Sequence, residues 1–338
     1  MPRAPGSMCP AQTQLKEGTP HMTLTTFREA PTATFADQLG SAFPDHGTPD
    51  PQTRLSLLGR LHEHYVAYMA GPEAFASIPR LNTDPEITAI EDAWLAWEDA
   101  QVDTADLPAD GAVFREWFLA VADAHTQPEF CDYLAQEASL EEMALFFMGE
   151  ELVDSKFDDL MAMVQIGTEG HTKLTIAENY WDEMGEGDIN GVHTRMFEHS
   201  AVYMRDRLDK AGIDRGQLYC PEAYENACLL LMYGIHRHLN PRALGAMGVL
   251  EQSASPRFQA MVDGCDRLGV PSDVIDYQRV HVHVDADHGA EWFDGVFVPL
   301  VDRSPALLRA ISIGVATRVR VANGYYRHIW QAMRALRD

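Results

Sequence analysis

Residues 272–292 read Ser-Asp-Val-Ile-Asp-Tyr-Gln-Arg-Val-His-Val-His-Val-Asp-Ala-Asp-His-Gly-Ala-Glu-Trp, and the backbone state of this stretch decides the fold. Its middle, Arg279 to Asp287, alternates with a period of two, as a half-buried strand does. The flanks point the other way. Val274, Tyr277, His281, Val284 with Asp285, His288 and Trp292 fall on one stripe of period 3.6. The longer pattern predicts a helix, with Ser272 as its N-cap.

The rest of the chain agrees with a helix. Apolar residues recur at three- and four-residue spacing in Leu55–Met69, Ile87–Trp97, Phe114–Ala124, Met143–Val164, Leu174–Met184, Val192–Leu208, Tyr224–Leu239, Phe258–Leu268 and Leu307–Leu336. Breaks are expected at Gly71-Pro72, Asn240-Pro241, Gly269-Val270-Pro271 and Ser304-Pro305. Alternating patterns are almost absent elsewhere, so the expected fold class is all-α. Residues 1–51 hold eight of the 19 prolines with few large apolar residues. They are expected to form a flexible tail ahead of a single α-helical domain, residues 52–338.

Composition removes several functions. With 26 Lys+Arg against 51 Asp+Glu the net charge is -25, which suits neither nucleic acid nor an anionic membrane surface. The longest apolar run, Ala227 to Tyr233, is far short of the ~20 residues of a membrane helix. Five scattered cysteines without a CxxC pair fit reduced thiols in a cytoplasmic protein.

Three places carry chemistry. In Phe146–Val164 the apolar stripe runs Phe146, Val153, Phe157, Leu160 and Val164, and Glu150 occupies a position that the stripe reserves for the core. A buried carboxylate needs a partner or a metal; the plain alternative is a helix end where Glu150 reaches water. Glu151, Asp154 and Asp158 are expected on the solvated face. Glu183 and His193 are ten residues apart, about 15 Å of rise and about 80° off one face on an ideal helix. They can share a metal only if the helix breaks between them, and Gly185 and Gly187 sit where a break would form. His281, Asp285 and His288, at offsets of four and seven, place three ligand-type side chains on one helical face. Glu150, Glu183, His193, His281, Asp285 and His288 together make three carboxylates and three imidazoles, the inventory of two iron or manganese ions.

Phe146–Asp159, Asn179-Tyr180-Trp181-Asp182-Glu183-Met184-Gly185-Glu186-Gly187 with His193, and the His-x3-Asp-x2-His of His281, Asp285 and His288 resemble the iron-containing redox enzyme family, the haem-oxygenase-like di-iron oxidases. The resemblance spans about residues 110–295. It implies a haem-oxygenase-like helical bundle of about seven core helices, here with extra N-terminal helices. It implies Glu150, Glu183, His193, His281, Asp285 and His288 as iron ligands, with Glu151 the alternative to Glu150. Glu150 and Asp285 would be the flexible carboxylates and Glu183 a bridging or terminal one. The implied cofactors are two Fe(2+) ions, the second labile, with O2 as co-substrate. The implied activity is oxidation of an amino acid, an amine or guanidine, or a fatty acid through a peroxo-di-iron intermediate. Phe146, Phe147, Val153, Phe157 and Trp181 would wall the site.

The expected partners are a small-molecule substrate and an unidentified electron donor, with a homodimer left open. A non-catalytic helical metal-binding protein is one alternative. A metal-dependent hydrolase is another, since residues 281–288 superficially resemble a His-x-His-x-Asp-His motif, but that fold needs alternating strands and helices.

Overall fold

The computed structural model describes residues 34–337, apart from the side chains of residues 285–287. Among the described residues the chain is helical and contains no strand. The helices are α1 Phe35–Ala42, α2 Pro51–Tyr68, α3 Pro85–Gln101, α4 Gly111–His125, α5 Pro128–Gln136, α6 Leu140–Asp154 and α7 Phe157–Val164. They continue as α8 Gly170–Glu183, α9 His193–Ala211, α10 Pro221–Ile235, α11 Asn240–Leu268, α12 Asp276–Trp292, α13 Val298–Arg303 and α14 Leu307–Ala335. The all-α expectation is met, and the layered hydrolase alternative has no sheet to rest on. No described helix is long and apolar enough to cross a membrane.

Local chemistry sets many of the ends. Asp50, Asp84 and Asp110 accept hydrogen bonds from the first-turn N–H groups of α2, α3 and α4, satisfying donors that a helix cannot pair internally. Ser139 and Glu142 close a reciprocal cap on α6. Helix α6 is buried on all sides from Glu142 to Glu150, as a central helix must be. The decisive stretch is helical: α12 takes in Arg279–Asp287 and packs along α11.

Four expectations need correction. Residues 35–42, assigned to the tail, form α1; Phe35 and Leu39 pack against the core and Ala42 is buried. Three nearby prolines hid that short apolar stripe. Residues 43–50 connect α1 to α2, which starts at Pro51, and Phe43 is buried; residues 1–33 lie outside the described residues. Ser272 makes no capping bond, because Ser272–Ile275 form a 3-10 turn and α12 starts four residues later. The helix expected from Phe258 begins at Asn240, and α11 carries Pro256 in its interior. A proline costs a helix one hydrogen bond but does not always end it. Lastly, Asp154 is not on a solvated face. It lies one turn after Glu150 on the same face of α6 and lines an interior cavity with it.

Polar groups also tie the core. Tyr65 donates to Glu91 at 2.7 Å, and His236 meets the same carboxylate oxygen at 2.8 Å. His125, at the end of α4, has Nδ1 2.7 Å from the Asn323 side-chain oxygen on α14. Burial, helped by the Arg318 charge, pushes the His125 imidazole down to about 3. Its pKa is thus lower folded than unfolded, so acid favours the unfolded chain. His125 should cost about a tenfold loss in the folding constant per pH unit from about 6.5 down to about 3. Urea unfolding of His125→Gln across that range should show a shallower pH slope; an unchanged slope would contradict this assignment.

Candidate metal centre

Helix α8 ends at Glu183 and α9 begins at His193. The break anticipated between them is a 3-10 turn, Gly185–Gly187, in which Gly185, Glu186 and Gly187 all have positive φ. A Cβ on Gly185 would collide with the Gly191 backbone. The turn therefore needs glycine for conformation and for space. It folds the first residue of α9 back onto the last residue of α8. Gly185→Ala should lower metal affinity by an order of magnitude or more while sparing helicity, because it moves His193 relative to Glu183; equal affinity in a calorimetric titration would refute this.

Glu183, His193 and His281 are all buried, and one ligand-type atom from each lies within 4.8 Å of the other two. His193 Nδ1 is 3.0 Å from Glu183 Oε2, and His281 Nε2 is 3.9 Å from Glu183 Oε1. The His281 Nδ1–H donates to the Tyr277 carbonyl at 2.8 Å, which fixes the ring with Nε2 turned towards Glu183. The rings of His193 and His281 lie 4.5 Å apart. Burial by itself would raise the Glu183 carboxyl, but the two imidazoles outweigh it and hold it at about 2. A carboxylate that stays ionised, two oriented imidazoles and no thiolate suit a borderline or hard divalent ion such as ferrous iron. His193 Nδ1 is buried and makes no well-formed hydrogen bond despite its closeness to Glu183. A ring nitrogen and a carboxylate oxygen facing each other in this way fit a shared cation.

The other expected ligands are disposed differently. His288 has Nε2 2.9 Å from Asp182 Oδ2 and Nδ1 3.4 Å from Glu251 Oε2. Asp182 precedes Glu183, so α8 holds imidazoles of α12 at two points. Glu150 is buried, with Arg257 Nε 3.7 Å from its Oε2. Burial raises the Glu150 carboxyl, with the Arg257 charge opposing. Glu151 instead binds Arg205 at 2.6 Å on a half-exposed flank. The side chain of Asp285 lies outside the described residues.

From the sequence, Glu251 reads as a loop carboxylate or an outer support of the site and is not among the expected ligands. It sits in the middle of α11, not in a loop, and is buried against His288. The same test that singled out Glu150 would have found it: Leu244, Met247, Gly248 and Ala254 place Glu251 on a buried stripe. Pro256 concealed that helix. Of the expected apolar walls, Val153 and Phe157 line the cavity, joined by Leu250 and Phe258. Phe146 and Phe147 belong to the packed core. Trp181 is 54% exposed and walls nothing; it covers Gly187 instead.

The cavity itself has a volume of about 20 Å³ and brings Glu150, Asp154, Glu251, His281, Arg257 and Arg318 to one place. Arg318 donates to the Asn226 side-chain oxygen from across the cavity.

A family profile described as iron-containing redox enzyme matches residues 144–323, more than half of the chain. The chain belongs to the iron-containing redox enzyme family. That match takes in Glu150, Glu183, His193, Glu251, His281, Asp285 and His288, and it supports an oxidoreductase-type role. Among solved structures, the chain is similar to a domain of unknown function with a heme oxygenase-like fold from Shewanella denitrificans OS217. The two share 12% identity with a TM-score of 0.49, over 68% of this chain and 95% of that one. No curated protein matches the chain significantly.

Proposed function

We propose that the protein is a non-haem di-iron oxidase or oxygenase that uses O2 to oxidise a small organic substrate. The observation that carries this reading is the convergence of Glu183, His193 and His281 in the interior, beside the His288–Glu251 pair. Glu183, His193 and His281 would hold one ferrous ion. Glu251 and His288 would serve its neighbour, with Asp285 and Glu150 as the further carboxylates expected from the sequence. Bound ferrous ions supply two electrons for reaction with O2.

The protein's own groups do the rest. The Tyr277 carbonyl and the Asp182 carboxylate fix the imidazoles of His281 and His288. Val153, Phe157, Leu250 and Phe258 form the apolar part of the cavity wall and would limit access of bulk water to the oxidant. Arg257 and Arg318 face the carboxyl groups of Glu150 and Asp154 across it, and burial with the Glu150 charge pushes the Asp154 carboxyl towards its neutral form, so the lining is polar and favours a substrate with a polar or charged group of its own. An amino acid, amine or guanidine therefore fits this lining better than the hydrocarbon end of a fatty acid. A volume of about 20 Å³ holds a single water-sized molecule, so an organic substrate enters only if lining helices move apart. Transfer of one oxygen atom, with the other leaving as water, takes two electrons from the substrate and two from a donor. Repeated turnover therefore needs a reductant.

The test is anaerobic loading with ferrous iron, followed by mixing with O2 in the presence of amino acids, amines, guanidines and fatty acids. The expected result is O2 uptake that one substrate class accelerates, absent from His281→Ala. An iron-loaded protein that consumes no O2 with any of them would point to a non-catalytic metal-binding protein.

A further inference from the structure

We propose that Cys220, Glu222 and His328 form a second metal site, separate from the iron centre, that takes a zinc-class divalent ion. The Cys220 sulfur, a Glu222 carboxylate oxygen and a His328 ring nitrogen all lie within 4.8 Å of one another. These residues come from two helices: Cys220 immediately precedes α10, Glu222 is in its first turn, and His328, 106 positions after Glu222, is on α14.

The histidine is already aimed. Its Nε2 is 3.3 Å from the Gln217 carbonyl, so Nε2–H donates there, and Nδ1 faces Glu222 Oε2 at 3.9 Å. A carbonyl that fixes one ring nitrogen while the other faces a ligand set is the usual outer support of a metal-bound imidazole. Tetrahedral zinc with sulfur, nitrogen and oxygen ligands sets them roughly 3.4–3.6 Å apart. Closing the site thus needs side-chain movements of roughly 1 Å.

The donor types differ from those of the iron centre. A thiolate with an imidazole and a carboxylate selects zinc over magnesium or calcium, and three protein ligands leave a fourth position for water. Glu222 and His328 are each about a third exposed, which gives an ion access, whereas Cys220 is buried. As the metal–sulfur bond forms, the thiol proton leaves to solvent, so affinity should rise with pH. The ion would tie α10 to α14 about 15 Å along α14 from the place where Asn226 of α10 meets Arg318 in the cavity wall.

Cobalt(II) titration of the full-length protein tests this, because only a sulfur ligand gives a thiolate-to-cobalt charge-transfer band and the proposed iron centre has none. With the proposed iron centre free to take up to two ions as well, the band should be complete by three equivalents of cobalt, and excess zinc should abolish it. Cys220→Ser should remove it, and His328→Gln, at a position about a third exposed that the fold tolerates, should weaken cobalt binding at least about tenfold. Zinc should also protect Cys220 from alkylation, read by peptide mass spectrometry. Absence of the band, or its persistence in Cys220→Ser, would overturn the proposal. Neither result bears on iron binding at Glu183, His193 and His281.

Discussion

Glu183→Ala should leave a folded, helical protein that binds less than a tenth of the iron bound by the parent. The carboxylate is the one anionic group shared by both imidazoles: His193 Nδ1 approaches one of its oxygens and His281 Nε2 the other. Without it, the two rings face each other with no charge to offset a dication in a buried setting. Even outer-sphere partners of metal ligands cost about 10–100-fold in affinity when lost, so loss of a central ligand should cost more. The fold should survive because Glu183 is the last residue of α8 and its removal opens no aliphatic core. A second readout follows from its titration. Held at about 2 in the folded chain, the carboxylate stabilises the fold above the ordinary carboxylate range and loses that contribution as pH falls towards 2. Metal-free Glu183→Ala should lack that acid-dependent component in urea unfolding. Parental iron content in the variant would remove Glu183 from the centre.

Gly245→Val should be the most damaging change away from the centre, costing about 3 kcal/mol or more. Helices α11 and α14 cross at a pair of glycines. A Cβ on Gly245 would strike the Ile311 carbonyl, and one on Gly314 would strike the Arg242 carbonyl. Both obstacles are backbone, so no rotamer change relieves the clash and the helices must separate. Separation would disturb the wall shared by Glu251 and Arg257 of α11 and Arg318 of α14. Iron binding should fall along with stability at every pH, whereas Glu183→Ala should lose iron together with only the pH-dependent contribution of its own carboxylate. Urea midpoints of Gly245→Val and Gly314→Ala measure the effect; midpoints equal to the parent's would show that the crossing is looser than described.

Periodicity made most of this architecture legible. The stripe from Val274 to Trp292 outweighed the local alternation of Arg279–Asp287, because burial on a helix is set over several turns. The Gly185–Gly187 break was legible from a geometric conflict: two ligand types ten residues apart could meet only across a bend. Glu251 and α1 were hidden for a common reason. Proline near a short apolar stripe suggests a boundary, yet Pro256 lies inside α11 and Pro31, Pro44 and Pro49 flank α1. Trp181 and Asp154 were assigned to the wrong surroundings because one helix can be covered on several sides. Only the neighbouring helices, which periodicity does not specify, decide which side meets solvent. The ion pair between Glu150 and Arg257 joins residues 107 positions apart, and no local pattern announces it.

The most direct test of the centre is diffraction from crystals loaded anaerobically with ferrous iron, recorded on both sides of the iron absorption edge. An anomalous peak bonded to Glu183, His193 and His281 is the predicted result, with any second peak beside Glu251 and His288. Iron bound elsewhere, with Glu183 still holding the two imidazoles unmetallated, would contradict it.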